Sequence, residues 1–292
     1  MCYERRLSGV MAAARSGRGS RASTMIWAFV AALVAVPVGV FLIRPRVAPM
    51  FGKDFQGIKT EGFTGPILTL TVFMTAFVMA QATQTFQRAN QAASNEGSAI
   101  ALLYENAGML PEGRGQAIQA TSICYARAVE HLEWPAMADF GSSDTVTYWA
   151  DRFTVEIPEI LDAPGAIAGQ VVSLSRSQSE ARLIRLNEAS PHLPLLTIAL
   201  MITAVIGAVL LLTSFAIPDM RRKVLLVLGT AMAALLGGTL YIIETLEEPF
   251  SGPIKVQPSV IARVADDNLV NFMANYPGAT LPCDNEGIPT GA

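Results

Sequence analysis

Glu244, Glu247 and Glu248 stand at spacings of three and four, so a helix gathers all three carboxylates on one face. They close an apolar run, 223–243, at the end where a helix dipole is negative, and each carboxylate there is disfavoured by about 0.3–1 kcal/mol unless a cation compensates. Arginine supplies the matching chemistry: Arg88 follows the second apolar run, and Arg182 and Arg185 precede the third. An interfacial ion-pair cluster of Glu244, Glu247, Glu248, Arg88, Arg182 and Arg185 is therefore expected, docking a helical domain onto the fourth run. Solvation of the same carboxylates at a membrane surface is the alternative. Calcium is a third reading of clustered acids, but no ligand loop accompanies them, and no metal or other cofactor is expected.

A second pattern runs through 73–88. Phe73, Phe77, Gln81, Gln84 and Arg88 follow one another at spacings of four or three, a stripe that passes from aromatic to polar to cationic. Turned toward a central pore, the phenylalanines form a hydrophobic constriction that gates by dewetting, and the glutamines and arginine its wetter mouth. Turned toward neighbouring helices, the same aromatics are ordinary filling. Thr69, Thr71, Thr75, Thr83 and Thr85 make another face of this helix polar, so the residues alone leave both readings open.

Enzyme chemistry finds no support. The only histidines, His131 and His192, are far apart in sequence, and His131 in VEHLEWP fits a helix surface beside Glu130 and Glu133. There is no phosphate-cradling glycine loop, nucleophile elbow or HExxH motif, and no catalytic residue is assigned. A formal net charge of −3 without a basic cluster argues against nucleic-acid binding. Cys2, Cys124 and Cys283 are too few and scattered for a zinc site or a disulfide framework and read as ordinary thiols, with a Cys124–Cys283 bridge as the alternative if both face an oxidising compartment.

The elements that must position these residues are membrane helices. With 51% of residues hydrophobic and only 15% charged, the chain is too apolar for a soluble domain of its size. Apolar runs near the length a hydrocarbon core requires occur at 25–43, 64–80, 194–217 and 223–243. The expected fold class is all-α: a polytopic membrane protein with four transmembrane helices and a helical extramembrane domain inserted between helices 2 and 3. The expected divisions are a basic, disordered leader at 1–24, transmembrane helices 1 and 2 at 25–83, and the helical domain at 84–192. Transmembrane helices 3 and 4 follow at 193–248. A Pro-Phe-Ser-Gly turn, a short helix and a tail fill 249–292, the last dozen residues looking disordered. Four crossings place the amino terminus, 84–192 and the tail on one side of the membrane, and the loops 44–63 and 218–222 on the other. Basic residues divide between the sides: Arg44, Arg46, Lys53, Lys59, Arg221, Arg222 and Lys223 against Arg5, Arg6, Arg15, Arg18 and Arg21. Orientation therefore stays open.

Within 84–192 a helix continues the second span, LPEGRG breaks it, and the next helix, with Ile118, Tyr125, Val129 and Leu132 on one face, is expected to stop before Pro135. Ser142, Ser143 or Asp144 can cap a third helix, and a fourth covers about 166–189. The segment carries 13 acidic and 7 basic residues, a balance of −6, which concentrates cations at its surface.

NEGSAIALLYENAGMLP, then YARAVEHLEWPAM, then LEEPFSGPIKVQPS, set in this order among the four spans, resemble the bacterial bestrophin-like membrane family over 25–260. The motif positions carried over are Glu96, Tyr104, Glu133, Trp134, Pro135, Pro249, Phe250 and Gly252. The chain departs at Gly97, where the family often has alanine, and at Glu247, where it often has aspartate. Bestrophins are pentameric anion channels whose second span lines the pore. The resemblance thus implies a homo-oligomer, a pentamer, of the bacterial plasma (inner) membrane, seated in the lipid bilayer and conducting ions rather than catalysing a reaction. The alternative is a membrane-anchored sensory or interaction module whose acidic helical domain binds a protein partner. For Glu96, Tyr104, Glu133 and Trp134 a buried polar network is the favoured role.

Overall fold

The computed structural model describes residues 26–47, 61–110, 114–160, 166–190, 193–215 and 221–290. The leader 1–24, most of the loop 44–63, residues 216–220 and His192 lie outside the described residues, as do the expectations placed on them. The chain is helical: α1 (Ile26–Arg46), α2 (Glu61–Gly108), α3 (Gln116–Ala128), α4 (Asp144–Glu156), α5 (Ala166–Glu188), α6 (Leu195–Phe215), α7 (Arg222–Glu247) and α8 (Ser259–Asn275). Among the described residues, four stretches are long and apolar enough to cross a membrane: α1, Gly65–Gly108 of α2, Leu195–Ser214 of α6, and α7. The protein is an all-α, multi-pass membrane protein.

The described helices fall into two compact units, one of Ala12–Gln84 and His192–Glu247, the other built mainly from Thr85–Pro191 and Glu248–Ala292. In the membrane unit, α1 buries Ala28, Ala32, Ala35 and Val40. Small residues let the backbones close up: a methyl group on Gly39 would meet the Thr213 side chain, and one on Gly237 the ring of Phe29 at 2.6 Å. Lipid offers no hydrophobic gain for helix association, so this close approach supplies the attraction instead. Pro37 lacks an N–H, and α1 absorbs it by widening into a π segment, Val38–Ile43, whose end is marked by the Arg44 N–H bonding to the Gly39 carbonyl.

In the helical unit the core is made by Ile100, Leu103, Ile118, Tyr125, Met137, Trp149, Phe153 and Ile261. Here the helical path that α3 begins runs on past the expected stop at Pro135. A π segment, Val129–Glu133, shifts the ladder so that the Trp134 N–H reaches Val129, and Pro135 then sits in the first turn of a further short helix, Trp134–Met137, where its missing donor costs nothing. Ser143 is the N-cap of α4, in extended backbone, but no capping bond comes from its hydroxyl.

The tail corrects a second expectation, since residues 281–290 are folded. The Asp284 N–H bonds to the Ile288 carbonyl, and the Thr290 N–H to that of Pro282. The Asp284 carboxylate accepts from the amides of Glu286 and Ile288. Trp149 donates its indole N–H to the Gly287 carbonyl at 2.6 Å, and Arg127 donates to the Asp284 carbonyl at 3.1 Å. A disulfide joins Cys124 on α3 to Cys283, their Cα atoms 5.8 Å apart. A tail with two glycines and two prolines among its last dozen residues reads as disorder; anchors from α3 and α4 turn 281–290 into a docked hairpin.

Candidate functional site

Glu96 reaches the interior of the helical unit from α2, Tyr125 from α3, Glu133 from the π segment, and Arg182 and Arg185 from α5, where a spacing of three puts them on one face. Arg185 is fully buried between the two acids. Its Nε donates to Glu96 Oε2 at 2.5 Å, and its Nη2 to Glu96 Oε1 at 3.0 Å and Glu133 Oε2 at 2.6 Å. Arg182 completes Glu133 from the other side at 2.5 Å and also donates to Thr147. The Tyr125 hydroxyl donates to Glu96 at 2.5 Å.

An aromatic lid covers this quartet. The Arg185 guanidinium lies over the Trp134 ring, 5.2 Å from its centroid. Trp134 meets Phe250 edge-on at 5.3 Å and donates its N–H to the Val256 carbonyl at 3.2 Å. Pro249 holds that segment in a turn by accepting from the Val256 amide, and Gly252 supplies the positive φ of 76° the turn needs. All three sequence motifs therefore converge on one point.

Two cations and two anions balance, which is what a water-free interior demands. Burial alone raises the Glu133 pKa, but the Arg182 hydrogen bond and the Arg185 charge outweigh it and hold the carboxyl below its ordinary range. Burial alone lowers Arg185, and the charge of Glu96 reverses the sign, fixing the guanidinium in its protonated form. Tyr125 is pushed well above its ordinary value by burial and by Glu96, so it stays a donor. Every carboxylate oxygen in the quartet is engaged by an arginine. The arrangement clamps α2, the π segment and α5 together.

These contacts correct the expected ion-pair cluster. Arg182 and Arg185 are committed to Glu133 and Glu96, and Arg88 pairs with Glu188 at 3.2 Å. Glu247 instead accepts from the Leu193 amide at 3.0 Å, ahead of α6, where the positive end of a helix dipole compensates it. Glu248 accepts from the Ser251 hydroxyl within the turn. Glu244 lies half-buried on α7. Tyr104 is buried apart from the quartet, with Ile123 and Phe272, and its carbonyl accepts from Gln119. Sequence reasoning placed Tyr125 only on an apolar face; its partner lies 29 residues away, beyond any local signal.

The second candidate is the stripe on α2. Thr71, Thr75, Val78, Ala82, Thr85 and Ala89 form the buried face of this helix. Thr71 and Thr75 satisfy their hydroxyls on the carbonyls one turn back, so the polar face needs no water. Phe73 and Phe77 point the other way, 67% and 56% exposed. Gln84 and Arg88 are exposed beyond them and Gln81 is half-buried. Filling against the chain's own helices is thus not what the two phenylalanines do.

A bestrophin-like domain profile matches residues 29–261, most of the chain. The chain belongs to the bestrophin-like family. Solved structures agree on the fold: a bacterial bestrophin homologue from Klebsiella pneumoniae superposes with a TM-score of 0.65 at 12% identity, covering 86% of this chain and 99% of that one. A tyrosine-to-alanine variant of that homologue gives 0.67 at the same identity and coverage. A search of curated proteins finds no match. The convergence of the three motifs on Arg185 gives the bestrophin-like resemblance a physical basis in this chain.

Proposed function

We propose that the protein is a homo-oligomeric ion channel of the bacterial plasma membrane, five copies placing α2 around a central pore, with no enzymatic activity. The observation that carries this reading is the outward face of α2: Phe73 and Phe77 are exposed on a helix whose opposite face is buried by its own chain. A ring of such side chains is a dewetting constriction, and Gln81, Gln84 and Arg88 continue it as a polar mouth. Family membership and the fold of the bacterial homologues support the same reading. In it, 25–83 and 193–248 are the conducting part, and 84–192 with 249–292 the extramembrane part.

The test is the mass of the detergent-solubilised particle together with ion flux from liposomes. A five-copy particle that conducts, with Phe77→Ala raising the flux severalfold by weakening the constriction, is the expected result. A single-copy particle without flux replaces the channel with an anchored interaction module, in which the acidic helical unit binds a protein partner.

A further inference from the structure

Two cysteines 159 positions apart meet inside the helical unit. Cys124 is fully buried and Cys283 nearly so. Their meeting is prepared on both sides: Trp149 and Arg127 hold the carbonyls of Gly287 and Asp284, and Gly287, at φ +82°, brings the hairpin against the backbone of Ala128. Such a bridge forms and persists in an oxidising compartment, whereas the cytosol keeps thiols reduced.

From this we infer that the helical unit lies on the extracytoplasmic side of the membrane, with the loops 44–63 and 218–222 in the cytoplasm. Basic residues in short loops stay inside, and these two loops with the edge of α7 carry Arg44, Arg46, Lys53, Lys59, Arg221, Arg222 and Lys223. The five arginines before residue 22 point the other way, and the bridge decides between them. This orientation does not rest on the channel reading: an anchored module would present its acidic helices to the same side.

The experiment uses the full chain with Cys2→Ser, so that the bridged pair are the only native cysteines. Met109→Cys and Leu183→Cys place a thiol on the helical unit, where the native side chains are 63% and 68% exposed, and Arg221→Cys places one on a short loop. Spheroplasts are treated with a membrane-impermeant maleimide carrying a bulky polymer. The expected result is a full one-polymer band shift for Met109→Cys or Leu183→Cys in intact spheroplasts, and for Arg221→Cys only after permeabilisation. The reverse pattern overturns the inference. In an independent arm, acid-quenched cells are alkylated with and without reductant: Cys124 and Cys283 should react only after reduction, and reaction without it overturns the inference equally.

Discussion

Arg185 is where the helical unit stores its charge, and the consequence of removing it follows from electrostatics. Arg185→Met takes from the buried Glu96 the guanidinium that pairs with it and leaves Glu133 with Arg182 alone, and breaking a buried pair in this way costs about 3–5 kcal/mol. Thermal unfolding in detergent should show a large fall in Tm, with a smaller one for Arg182→Met, whose side chain is 12% exposed. Because the folded-state pKa of Glu133 is depressed, its contribution is fully present above the ordinary carboxylate value of 4.5 and is lost as pH falls through the lower folded value. Stability measured against pH should therefore drop in that acid window, and Glu133→Gln should flatten the drop. Glu96, Glu133 and Trp134 were legible in the sequence as motif positions. Their partners were not, because charge complementarity says that an acid wants an arginine without saying which. Arg182 and Arg185 were consequently matched to the nearest acids along the membrane boundary rather than to acids 49 and 89 positions away.

At the level of elements, α2 is a single helix of 48 residues, about 72 Å long at 1.5 Å per residue. Its burial pattern was legible in part: the phenylalanine stripe and the threonine face were both visible, but which of them faced the chain itself depended on α2's neighbours. Pro135 misled for a different reason. The preference of a residue before proline assumes an ordinary ladder, and a π segment one turn earlier removes the conflict. The docked tail makes the sharpest element-scale prediction. Gly287→Ala puts a side chain at φ +82° and against the Ala128 backbone, a strain of about 1–3 kcal/mol. Limited proteolysis should then cut within 281–290 well before the helices, while the wild-type tail resists.

For the molecule as a whole, composition and the four apolar runs sufficed for the fold class, since bilayer thickness leaves few alternatives to spanning helices. Charge is the property that acts at this scale. The balance of −6 over 84–192 favours cations near the protein, an effect that weakens as the Debye length shrinks. Bi-ionic reversal potentials across reconstituted bilayers are expected to show a preference for potassium over chloride at low salt that fades at high salt; a salt-independent chloride preference would assign selectivity to local groups on α2. The three motifs meet at one buried, charge-balanced junction built from residues other than that stripe. Because Glu96, Glu133 and Phe250 are spent on holding helices together, substitutions on the outward face of α2 can alter what that face meets without loosening the junction.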